Sequence, residues 1–111
     1  MLSKQEEMLS LALLKLGPDV TAGELQAALS DATGHEQAFG SIFTTLDRMT
    51  DKKFVKWKKG EPDERRGGRA PRLYTLTGAG KMTLIASLRA TSELSKGVEL
   101  PGVEVPHPSW A

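Results

Sequence analysis

Between Phe54 and Leu76 the hydrophobic period of the chain changes, and that change limits the possible folds more than any other feature. Up to Asp51 the apolar residues recur at helical spacing. From Phe54 they alternate, in Phe54-Val55-Lys56-Trp57-Lys58 and again in Arg72-Leu73-Tyr74-Thr75-Leu76. Alternation marks a half-buried strand, because successive side chains point to opposite faces. Phe54, Lys56 and Lys58 then share one face, and Val55 and Trp57 the other. The intervening run KGEPDERRGGRAP joins two such strands as a β-hairpin with an unusually long loop.

The flanking segments read as helices. Ser3 and Glu6 stand at capping-box spacing, so a first helix starts there and runs to about Leu16, where Gly17-Pro18 stops it. Leu9, Ala12, Leu13 and Leu16 make one apolar stripe, and Met8, Leu11 and Leu14 a second, so this helix is expected to be covered on two sides. A second helix opens at Thr21 with Glu24 in the matching position, burying Ala22, Leu25, Ala28 and Leu29. Ser30 to Gly34 reads as a turn. A third helix spans about Phe39 to Asp51, with Phe39, Ile42, Phe43, Leu46 and Met49 apolar and Ser41, Thr44, Thr45 and Arg48 on the other stripe. Thr77 caps a fourth, roughly Gly78 to Leu94, carrying Met82, Leu84, Ile85, Leu88 and Leu94. From Gly97 the chain is a proline-containing tail.

The expected fold is therefore mainly α with a small β-hairpin, an α+β chain of three helices, strand, long loop, strand and helix. That order is the layout of a winged helix-turn-helix, in which the third helix enters the DNA major groove and the hairpin lies along the backbone. Residues 1–76 would form the DNA-binding domain, 77–96 a C-terminal dimerisation helix, and 97–111 a flexible tail.

Charge supports a polyanionic partner. The 111-residue chain has a net charge of only +1, but residues 1–51 carry −5 and residues 52–72 carry +6. Within the loop Glu61, Asp63 and Glu64 come first and would face away from phosphates. Arg65, Arg66 and Arg69 follow, interleaved with Gly67 and Gly68, and with Lys56, Lys58 and Arg72 they form the candidate wing contact. On the third helix, small Ser41, Thr44 and Thr45 let the backbone approach base edges, and Arg48 can bond a guanine edge bidentately. The competing reading is a solvated helix face and a solvated loop.

Catalysis, metals and cofactors find no support. There is no cysteine, and two separate histidines, His35 and His107, have no ligand spacing. Gly78-Ala79-Gly80-Lys81 resembles the end of a phosphate-binding loop but lacks its first glycine and its hydroxyl, so it reads as a helix start. No apolar run is long enough to cross a membrane, and the acidic N-terminal segment argues against a secretory signal, so a cytoplasmic protein is expected.

Three segments carry a family resemblance. Gly40-Ser41-Ile42-Phe43-Thr44-Thr45-Leu46-Asp47-Arg48-Met49 resembles the recognition-helix signature of PadR-family transcriptional regulators, Gly-Thr-Leu-Tyr-x-x-Leu-x-Arg-Leu. Arg69 to Gly80 is similar to that family's wing-to-helix segment, and Leu11 to Gly17 to its first helix. The resemblance implies a homodimeric winged helix-turn-helix, usually a repressor, that binds double-stranded DNA. First and last helices would build the dimer, through Met8, Leu11, Leu14, Leu84, Ile85 and Leu88. It implies DNA contacts from Ser41, Thr44, Thr45, Arg48, Arg69 and Arg72, and leaves a small-molecule effector unspecified. Phe43 stands where the family has Tyr, Leu73 replaces the first wing tyrosine, and Thr21-Ala22 replaces Tyr-Gly. The alternative is a protein-interaction module on the same fold.

Overall fold

In a computed structural model the described residues are 1–62 and 64–102, with Arg66 described by its backbone alone. Asp63 and residues 103–111, including His107 and most of the expected tail, lie outside them. Helices α1 (Lys4–Leu16), α2 (Ala22–Thr33) and α3 (Phe39–Asp51) precede strands β1 (Val55–Lys59) and β2 (Arg72–Leu76), and α4 (Gly78–Ser95) follows. A single 3-10 turn, Glu64–Arg66, lies in the hairpin loop. No helix among the described residues is long and apolar enough to cross a membrane.

Capping chemistry sets the helix starts. Ser3 and Thr21 both close full capping boxes, with Glu6 and Glu24 reaching back, and Thr77 accepts from the Gly80 amide. Each such cap contributes about 1 kcal/mol. The α2 end differs from expectation. Ser30 to Thr33 is helical, because Thr33 Oγ1 donates to the Leu29 carbonyl at 2.8 Å and left-handed Gly34, at φ 74°, supplies the stop one residue later.

The hairpin pairs antiparallel, Val55 opposite Leu76 and Lys59 opposite Arg72. Phe54 falls just outside it, since its amide bonds the Met49 carbonyl and its carbonyl takes the Thr77 amide. A third strand position went unread in the sequence. Val20 exchanges both backbone hydrogen bonds with Tyr74, at 2.9 and 2.7 Å, and so ties the α1–α2 connection to the outer edge of β2.

The core gathers Leu9 and Leu13 of α1, Val20, Leu25 and Leu29, Ile42, Leu46 and Met49 of α3, and Val55, Tyr74 and Leu76 of the hairpin. Burying each large side chain contributes about 2 kcal/mol. Gly80 seats α4 on this core: a Cβ there would collide with the Phe54 carbonyl oxygen and the Leu76 side chain. That close approach explains a glycine at the third position of the fourth helix.

Candidate nucleic-acid interface

The rotation of α3 decides which side chains it offers. Ile42, Thr45, Leu46 and Met49 face inward. Gly40, Thr44, Asp47, Arg48 and Asp51 therefore form the outward ridge, all exposed, with Ser41 on one flank. Phe39 and Phe43, expected with the apolar stripe, are exposed on the other flank, their rings stacked at 6.1 Å between centroids. The buried stripe is centred on Ile42 and Leu46, and helical rotation carries Phe39 and Phe43 out to its margin.

This arrangement corrects Thr45. It is 3% exposed, and its single hydroxyl proton has the Ser41 carbonyl and Gln5 Oε1 of α1 within hydrogen-bond reach. A residue so enclosed holds α3 against α1 and does not reach a base. Ser41 is exposed, yet its hydroxyl accepts from Gln5 Nε2 at 3.0 Å. Thr44 is exposed but commits its hydroxyl proton to its own helix, donating to the Gly40 carbonyl at 2.8 Å, which leaves the hydroxyl oxygen as an acceptor beside the methyl. Arg48 is exposed on the ridge.

The hairpin has two faces of different use. Cross-strand partners share a face in an antiparallel pair, so Trp57, Lys59, Arg72 and Tyr74 lie together, and Lys56, Lys58, Leu73 and Thr75 lie on the reverse. Lys58 pairs with Asp19 at 3.5 Å there. Lys56 and Lys58, expected beside the other wing cations, thus sit behind the hairpin, because strand alternation separates them from Arg72. Lys59, not singled out in the sequence, is on the Arg72 face, directly opposite Arg72 in the register.

Between α3 and the wing opens a cleft of about 800 Å³, lined by Phe43, Asp47, Arg65, Arg69, Arg72 and Tyr74 among others. Arg72 spans it. Its guanidinium lies 4.2 Å from the Trp57 ring centroid and its Nη1 3.5 Å from Asp47 Oδ1. Gly67 and Gly68 turn the loop at φ 69° and 83°, a left-handed conformation that favours glycine. Phe43 and Asp47 of α3 and Arg65 and Arg69 of the loop therefore line one cleft.

The expected dimer residues divide. Leu84 is 2% exposed and belongs to the chain's own core, so it has no surface to give a partner; Met8 and Leu88 pack against that core at its edge. Leu11 and Leu14, at 42% and 46%, and Ile85 remain exposed.

No protein-family profile matches the chain, and no curated protein matches it in sequence. Solved structures do. A protein named as a transcriptional regulator from Thermoplasma acidophilum has 26% identity and a TM-score of 0.70, over 83% of this chain and 84% of that one. A PadR-like transcription factor from Bacteroides fragilis has 22% identity and a TM-score of 0.71, over 82% of each. A PadR family transcription regulator from Clostridium difficile has 22% identity and a TM-score of 0.65, over 85% of this chain and 93% of that one. All three are named as regulators of transcription and none as an enzyme. The chain has a PadR-like winged-helix fold.

Proposed function

We propose that the chain is a sequence-specific, double-stranded-DNA-binding regulator of transcription, acting in the cytoplasm as a homodimeric repressor at a near-palindromic operator. The observation that carries this reading is the groove itself. The third helix lines it with Phe43 and Asp47, next to its exposed ridge of small and polar side chains, and across the cleft lies a loop bearing Arg65 and Arg69, on a fold shared with named regulators. Residues 1–76 supply the reading head. α4 gives Leu84 to the same core, and its outer side, with Leu11 and Leu14 of α1, would meet the second copy. Two α3 helices would then occupy major grooves about one helical turn apart.

The two walls contribute differently. The ridge carries Asp47, Arg48 and Asp51 and is not cationic in sum, whereas the wing is basic. Affinity then comes from the wing and discrimination from the ridge, since phosphate contacts position a protein and base contacts specify its site. Titration of the purified chain against random duplex at low and moderate salt tests the proposal. Binding that weakens steeply with salt is expected. Absence of salt-dependent binding favours the protein-interaction reading, for which the exposed Leu11, Leu14 and Ile85 are the supporting observation.

A further inference from the structure

Asp47 is an unexpected residue for a DNA-facing ridge. It is an acceptor-only carboxylate, 63% exposed at the side chain, standing between Thr44 and Arg48 on the outward face of α3. Phosphates would repel it, and it lies outside the core. Its contact with Arg72 is a partly exposed ion pair at 3.5 Å, of a kind that adds at most about 1 kcal/mol to stability. Arg72 is in turn stacked on Trp57, so the cation that meets the carboxylate is itself held in place.

We propose that Asp47 is a specificity-determining residue that selects a cytosine in the operator, with Arg72 as its positioning residue; the inference rests on the DNA-binding reading above. An ionised carboxylate only accepts hydrogen bonds. In the major groove guanine offers N7 and O6 and thymine offers O4, all acceptors that repel it. Adenine offers its N6 amine beside the N7 acceptor. Cytosine alone presents an amine, N4, with no acceptor of its own alongside. The adjacent Arg48 has the opposite chemistry and suits guanine, so the pair of side chains favours G·C pairs in defined orientation. Arg72 lowers the repulsion between the carboxylate and the DNA backbone, and by bonding one oxygen leaves the other to the base.

The test uses the full chain and its Asp47→Ala and Asp47→Asn variants. Each is used to select sites from a random duplex pool, and affinities are then measured on the wild-type site with every base pair replaced in turn. The wild type should show one C·G pair whose replacement weakens binding at least about fivefold. Asp47→Ala should lose that discrimination alone and keep the others. Asp47→Asn should shift the preference at the same pair towards adenine, which an amide can bond at N6 and N7. Arg72→Ala should reduce discrimination at that pair while leaving it intact at the others; undiminished discrimination there overturns the positioning role. A wild type that selects a site, with an Asp47→Ala variant that selects the same site with equal discrimination at every position, overturns the inference and leaves the DNA-binding reading standing. A wild type without salt-dependent duplex binding overturns both.

Discussion

A buried carboxylate is costly unless it is bonded on all sides, and Glu6 is 2% exposed. It is bonded. Oε1 accepts from the Ser3 amide at 2.9 Å and Oε2 from Lys52 Nζ at 3.1 Å. One side chain thus closes the α1 cap and fastens α1 to the end of α3, just ahead of the wing. Burial pushes its pKa up, but the Ser3 amide, the Lys52 ammonium and the Ser3 hydroxyl together outweigh burial and hold it below the ordinary 4.5. A carboxyl with a depressed folded-state pKa stabilises the fold above its unfolded-state value, and that contribution is lost as pH falls through the folded value. Glu6→Gln should therefore cost about 2 kcal/mol at neutral pH. The loss should shrink below pH 4.5, because the wild type loses its own advantage there; denaturant melts across that range would show it. Arg48 is a different kind of residue, exposed and outside the core. Arg48→Ala should leave the melting temperature unchanged, cost ~1–3 kcal/mol on the specific site, and relax the preference at one base pair.

The wing shows where sequence pattern suffices and where it stops. Alternation in Arg72–Leu76 gave both bounds of β2, and capping boxes at Ser3 and Thr21 gave the starts of α1 and α2, because these signals act over a few neighbouring residues. Thr45 was misplaced because a threonine reads as polar in any pattern. Only the position of Gln5, forty residues away, turns it into a buried link between α1 and α3. The Val20–Tyr74 bridge was invisible for the same reason: a single residue has no period. The separation of Lys56 and Lys58 from Arg72 needed the cross-strand register, which a long loop hides. For the loop itself the prediction is electrostatic. Replacing Arg65, Arg66 and Arg69 together by alanine should weaken binding to all duplexes and lower the slope of log affinity against log salt by about one per lost phosphate contact. An unchanged slope in the triple variant would remove the wing from the interface.

The single chain leaves apolar surface on the side where α1 and α4 meet solvent. α1 and α4 are joined within the chain, Ser87 Oγ donating to Glu7 Oε2 at 2.9 Å, and Leu84 fills the core beneath. Leu11, Leu14 and Ile85 stay outside it. Leu84 and Leu14 therefore separate folding from assembly. Leu84→Ala should destabilise the chain by about 2–5 kcal/mol, as a large-to-small change in a packed core does. Leu14→Glu replaces an exposed leucine, so it should leave the helical circular dichroism and the melting of the isolated chain nearly intact while placing two like charges across the proposed interface. Sedimentation should then find the wild type as a dimer and Leu14→Glu as a monomer. The monomer should retain salt-dependent affinity for random duplex, since each wing is whole. On a two-half-site operator it should bind far more weakly than the wild type, because the second α3 is no longer held beside the first and its effective concentration falls. A wild type that sediments as a monomer would instead make each reading head act singly, and the operator would then be a single half-site with no palindrome.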